Sequence, residues 1–210
     1  MKEQMGTRSP APEIADAAVP AAANPDADAI RRSQSDPEAF VTIFDRHFEP
    51  IHRYLHRRVG RDLADELASE TFAQAYRRRS TFEPLSESAL PWLYGIAANL
   101  VRRHRRTETR RLRAYARTGV DESVELDVPG VVDRVDAGTL AASLAAALAS
   151  LSADDRETVS LIAFAELTYG EVGLALGIPS GTVGSRMNRI RSRLAAHLPS
   201  DLRALREETS

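Results

Sequence analysis

The chain has 210 residues with 28 basic and 30 acidic side chains, and its net charge of −2 by itself names no nucleic-acid partner. It has no cysteine, which rules out disulfides, thiolate metal sites and a cysteine nucleophile and suits a cytoplasmic location. No apolar run approaches the ~20 residues of a membrane span, and residues 1–24, broken by charges and prolines, do not read as a signal peptide; no membrane insertion is expected.

Residues 1–35 are rich in Ala, Pro and Asp and hold no aromatic, so a disordered N-terminal extension is expected there. Order should begin at Asp36, an N-cap followed by Pro37 at the first helical position. Phe40, Ile43, Phe44, Phe48, Ile51 and Leu55 then keep helical spacing to about Val59, with a kink or break expected at Pro50. Asp62 is a candidate cap for a second helix over 63–79, with Leu67, Phe72, Ala75 and Tyr76 facing inward. A loop over 81–88 leads to a third helix from about Ala89 to Arg106 or beyond, with Leu93, Ile96, Leu100 and Val101 on its apolar face.

Charge is distributed unevenly behind the balanced total. Residues 38–118 hold sixteen basic and ten acidic side chains, whereas 119–139 hold one basic and six acidic. A basic first domain (36–117) is thus followed by an acidic linker (118–138) that also carries Pro129 and glycines. Beyond it, Leu140, Leu144, Leu148 and Leu151 share a helical face, and Ser152 with Asp155 marks the cap of a further helix. No strand-like alternation stands out. The expected fold class is all-α: two small helical domains joined by a flexible acidic linker, the second (139–206) a helix-turn-helix.

The helix-turn-helix lies in 167–198. Thr168 and Glu171 fit a capping box, and Val172, Ala175 and Leu176 form one apolar stripe. Gly177 suits the left-handed position after a helix, Pro179 cannot continue it, and Ser180 suits the next cap. In the second helix Val183, Met187, Ile190 and Leu194 share one face. Gly181, Gly184, Ser185, Asn188, Arg189 and Ser192 lie on the other, flanked by Arg186 and Arg193. Small residues permit close approach to DNA, while Asn and Arg offer forked donors to bases and phosphates. An ordinary helical hairpin with a solvated basic face is the plainer alternative.

The third helix of the first domain carries a second signal. Trp92, Tyr94 and Asn99 run into eight arginines between Arg102 and Arg117. Aromatic rings beside guanidinium groups suit unpaired DNA, the rings stacking on bases and the arginines holding phosphates. A core role for Trp92 and an RNA-binding arm are the alternatives. Enzyme readings are poor: there is no Gly-rich phosphate loop, and His52 and His56, at metal-compatible i, i+4 spacing, have no convincing third ligand. No cofactor or metal is expected.

Four segments in order resemble the extracytoplasmic-function branch of the bacterial sigma-70 family. They are DPEAF with FDRHFEPIHRYLHRRV, DELASETFAQAYR, PWLYGIAANLVRR and LTYGEVGLALGIPSGTVGSR. The resemblance implies a promoter-specificity subunit that binds core RNA polymerase, recognises −35 and −10 elements and promotes DNA melting. Asp65, Glu66, Glu70, Thr71 and Phe72 match the surface that docks on the clamp helices of the largest subunit. The loop from Phe82 to Ser88 matches the one that captures a flipped −10 base. Trp92, Tyr94, Asn99, Arg102, Arg103 and Arg106 match the region of −10 contact and melting. Ser180, Thr182, Ser185, Arg186, Asn188 and Arg189 match the helix that reads the −35 element. The flap of core polymerase and an anti-sigma factor are further implied partners. The chain departs from the pattern at Arg103, often acidic in the family, at Gly184, usually Lys or Arg, and at Gly173, where Ala is favoured. A stand-alone helix-turn-helix regulator of duplex DNA is the alternative function, and a pure interaction protein a third.

Overall fold

The computed structural model describes residues 24–116 and 145–197, and among these every regular element is helical. Order begins earlier than composition suggests. Helix α1 (Pro25–Arg32) is capped by the Asn24 side chain, which accepts from the N–H groups of Asp26 and Ala27, with acids in its first turn and arginines in its last. Ala27, Ala29 and Ile30 are buried. The expectation of disorder across 1–35 is therefore wrong for 24–35: this apolar stripe is too small to form a core but finishes one supplied by its neighbours. Residues 1–23 lie outside the described residues.

A 3₁₀ turn (Pro37–Phe40), capped by Asp36 as expected, leads into α2 (Val41–Val59). The helix continues through Pro50, so no break occurs there. Gly60, at φ 79° and ψ 175°, joins α2 directly to α3 (Arg61–Arg78). Gly60 thus takes the cap position expected of Asp62, which instead places its charge in the first turn. Helix α4 (Leu90–Ala116) completes the first unit. Ile43, Ile51 and Leu55 of α2 meet Ala64, Leu67 and Ala68 of α3 and Leu93, Ala97 and Val101 of α4, all buried.

In the second unit a helical segment at 145–149 precedes α5 (Ala153–Ala165), capped by Ser152. Helix α6 (Tyr169–Leu176) has the expected capping box of Thr168 and Glu171 and ends at Gly177 in the left-handed conformation. Helix α7 (Ser180–His197) starts one residue earlier than expected: the Pro179 carbonyl accepts from Thr182 and Val183, making Ser180 the first helical residue rather than the cap. Val183, Met187 and Ile190 face the core as their spacing predicts. Gly173 lies within α6, close against the turn that follows it. A Cβ there would lie 2.7 Å from the Ile178 carbonyl oxygen, so alanine does not fit without movement.

The two units pack together around one core, which joins Leu161, Val172 and Ala175 of the second to the first. Helices α4 and α6 approach so closely that a Cβ on Gly95 would lie 2.6 Å from the Ala175 carbonyl oxygen. Beside this contact, Arg58 of α2 reaches Glu157 of α5 at 2.6 Å, and the Tyr54 hydroxyl donates to the same carboxylate. The expected linker, 118–138, lies outside the described residues.

Candidate nucleic-acid and polymerase interfaces

The basic face of α4 follows from helical spacing. Asn99, Arg102, Arg103, Arg106 and Arg110 recur at three- and four-residue intervals and line a shallow hollow together with Thr107. A second hollow continues across Asn99 and Arg103 to Gln74, Arg77 and Arg78 at the end of α3. Among the described residues, Arg102, Arg103, Arg106 and Arg110 form no ion pair, and although the Arg103 charge is felt by Glu70, the face stays predominantly basic. Arg77 and Arg78 sit in the last turn of α3, where they complement the helix dipole, and packing brings them to this face. Arg105 turns the other way and donates to the Arg58 carbonyl at 3.0 Å.

Trp92, two turns before Asn99, is half-buried and packs on Phe82 with ring centroids 4.9 Å apart. Tyr94 does not join them. It is 3% exposed, set edge-on to Tyr54 at 5.2 Å, and burial pushes its hydroxyl up to about 12. The expectation of a DNA contact at Tyr94 is corrected for this arrangement: it lies on the same helical face as the core residues Ala97, Ala98 and Val101, away from Trp92 and Asn99.

On α3, Asp65 and Glu66 are exposed, and Asp65 meets the His52 Nε2 at 2.7 Å. Glu70 accepts from Gln74 and Arg77, and these hydrogen bonds hold its carboxyl below the ordinary value. Thr71 and Phe72 are buried and do not reach the surface. Thr71 donates to the Leu67 carbonyl, while Phe72 packs on Phe44 and Phe48, so both assignments to a docking surface are corrected. Helical rotation places them inward, whereas Phe44, which reads as a core residue, is 40% exposed, and Val41 at the start of α2 is 55% exposed.

On α7, Ser180, Thr182, Ser185, Asn188 and Arg189 are exposed, and Arg186 is half-buried. The arginines also have intramolecular partners. Arg189 reaches Asp155 at 2.7 Å, with Arg193 at 3.8 Å, and Arg186 lies 3.9 Å from Asp154. Burial raises the Asp155 carboxyl, but hydrogen bonds from Arg189 and the Ser152 cap outweigh it and leave it below the ordinary value. Arg189 thus ties the exposed helix to α5 while half its side chain stays open.

Family comparisons match this division. Residues 43–111 match sigma-70 region 2, and residues 141–194 match sigma-70 region 4. The ECF RNA polymerase sigma factor BldN of Streptomyces coelicolor is 30% identical over 176 residues, covering 83% of this chain and 66% of that protein. The RNA polymerase sigma factor CarQ of Myxococcus xanthus is 33% identical over 153 residues, covering 72% of this chain and 84% of that protein. This chain is an RNA polymerase sigma factor of the sigma-70 family, in its extracytoplasmic-function group. Its fold is similar to RpoE of Bartonella quintana, solved with the anti-sigma factor NepR: TM-score 0.54, 25% identity, 78% of this chain and 99% of that one. In this sigma factor the region 2 match takes in α2, α3 and the basic face of α4. The region 4 match takes in α5, α6 and the exposed face of α7, while α1 precedes both.

Proposed function

We propose that this sigma factor brings core polymerase to a promoter with two recognition elements and helps to open it. The observation that carries the reading is the unpaired basic face from Asn99 to Arg110, with Phe82 and Trp92 at its near end. Guanidinium groups in a row suit the phosphates of a separated strand, and aromatic rings suit its bases. In this reading Asn99, Arg102, Arg103 and Arg106 hold the −10 strand, and Arg77, Arg78 and Gln74 extend the track. Ser180, Thr182, Ser185, Asn188 and Arg189 read the −35 duplex, with Arg186 at the edge of that surface.

Asp65, Glu66 and Glu70, with the exposed edge of Phe44, dock on the clamp helices of core polymerase, and the region 4 domain meets the flap. The first domain takes in α1 together with 36–117, and the acidic linker at 118–138 joins it to a second domain over 139–206. The chain supplies specificity and polymerase supplies the chemistry, in the cytoplasm. An anti-sigma factor regulates it; support comes from the fold's similarity to a sigma factor solved with such a partner.

Run-off transcription with purified core polymerase on a template library randomised at both elements tests the reading. Transcripts that require this chain and converge on two spaced motifs are expected. Specific duplex binding by the chain alone, without polymerase-dependent transcripts, would replace this reading with a stand-alone regulator.

A further inference from the structure

Helix α1 precedes the family match, yet its bonds converge on one place, the loop between α3 and α4. At its start, the Asn24 side chain does two jobs. Its Oδ1 accepts from the N–H groups of Asp26 and Ala27 at 3.0 Å, capping the helix, while its Nδ2 donates to the Ser86 carbonyl at 2.7 Å. Asp26 accepts from the Ser88 hydroxyl at 3.1 Å and from the Ala89 N–H at 2.9 Å. That carboxylate is itself held, with His47 Nε2 at 2.7 Å and Arg46 against its other oxygen. Past the other end of α1, the Ser33 carbonyl accepts from Arg79 Nε at 3.1 Å. Arg79 also donates to the Tyr76 carbonyl and lies over the Tyr76 ring, so the chain just before the loop is fixed as well.

One helix about 12 Å long therefore bridges both roots of a single loop. Between the roots, Phe82 leans on Trp92, and the tip at 83–85 stands clear with Leu85 66% exposed. An apolar side chain so exposed at a loop tip is open to a partner and suits the face of a base. A tip three residues long keeps one shape only if both roots are held, because each free residue adds conformations that must be lost on binding.

We infer that α1 is the strut of the base-capturing loop, with Asn24 and Asp26 as positioning residues and Leu85 as the tip residue that meets the base. The strut sets how selectively that base is held. This rests on the reading that the loop captures a −10 base.

The substitution Asn24→Asp separates the two jobs of one side chain. Aspartate caps as well as asparagine, so α1 keeps its start, but the donor to Ser86 is lost. Asn24→Ser is a second capping variant too short to reach Ser86. Holoenzymes carrying wild type, Asn24→Asp, Asn24→Ser and Leu85→Ala are compared in run-off transcription. The probe is a promoter selected from a randomised template library with wild-type holoenzyme, together with its single-base variants across −10. Helix content and affinity for core polymerase are measured alongside. Both Asn24 variants should keep core affinity and helix content and lose about three- to tenfold of the discrimination at one −10 position, the size of one hydrogen bond. Leu85→Ala should lose discrimination at the same position. If Leu85→Ala changes no position, the capture reading fails and the strut falls with it. If Leu85→Ala acts and the Asn24 variants keep full discrimination, or lose activity equally at every base, the strut alone is overturned.

Discussion

Replacing Glu157 by Gln removes one charge and almost no volume, and its effect should fall on the contact between the two domains. Glu157 is 3% exposed and Arg58 is 7% exposed, and both lie at the junction of α2 with α5. Burial disfavours the Arg58 charge, but Glu157 beside it raises the guanidinium above its ordinary value. Tyr54 is held neutral by burial and by the same carboxylate. A glutamine at 157 would face two donors with one acceptor oxygen, and Arg58, whose Nε already has no hydrogen-bond partner, would lose its counter-charge. Breaking one side of a buried ion pair costs about 3–5 kcal/mol. At about 1.4 kcal/mol per tenfold, the balance between packed and separated domains should shift roughly a hundredfold or more toward separation. Separation re-solvates Arg58, so domain unfolding should change little while the interdomain distance grows. Small-angle scattering and energy transfer between dyes on α3 and α7 measure this directly. An unchanged distance distribution, with the whole loss seen as a lower melting temperature of one domain, would refute the reasoning.

Asp26→Asn should weaken the first domain by about 1.5–3 kcal/mol at pH 7, since charge-assisted hydrogen bonds are lost. Burial raises the Asp26 carboxyl, but His47, the Ala89 N–H and Arg46 outweigh it and hold it well below the ordinary value. Its contribution is therefore present above about pH 3.9, the unfolded value, and fades as pH falls toward the folded one. Thermal melts from pH 7 to pH 2 should show a steep acid limb in the wild type and a flatter one in the variant; parallel limbs would contradict this. Arg102→Ala and Arg106→Ala should each lower the salt slope of single-strand binding by about 0.7 with core polymerase affinity retained, measured by anisotropy. Gly184→Arg should tighten −35 duplex binding and steepen its salt slope by about 0.9, because a Cβ there meets only Tyr169 at 4.0 Å. Removing Gly from a helix interior also favours α7 by up to about 1 kcal/mol, which a melting curve of the full chain should register.

The sequence by itself determined the helices from α2 onward, the buried stripe of Val183, Met187 and Ile190, the capping box at Thr168 and the basic row on α4. Each follows from spacing of three or four residues along one helix, a property that needs no partner. It also contained the segments by which the family is known. Periodicity was less decisive where two faces were both apolar. Phe44 of α2 turned partly outward, because the stripe on α2 is wider than the core it covers, whereas Phe72 of α3 faces inward as its spacing predicts, against the docking role that the resemblance implied for it and for Thr71. The helix at 25–32 was illegible for another reason: a stripe of alanines and one isoleucine is stable only against a core that others supply. Tertiary structure alone decided the rest. It paired Glu157 with Arg58, 99 positions away, set Gly95 against Ala175, and tied Asn24 to a loop 62 residues further on. These contacts have no local period, since their free energy comes from burial that exists only when separate helices meet.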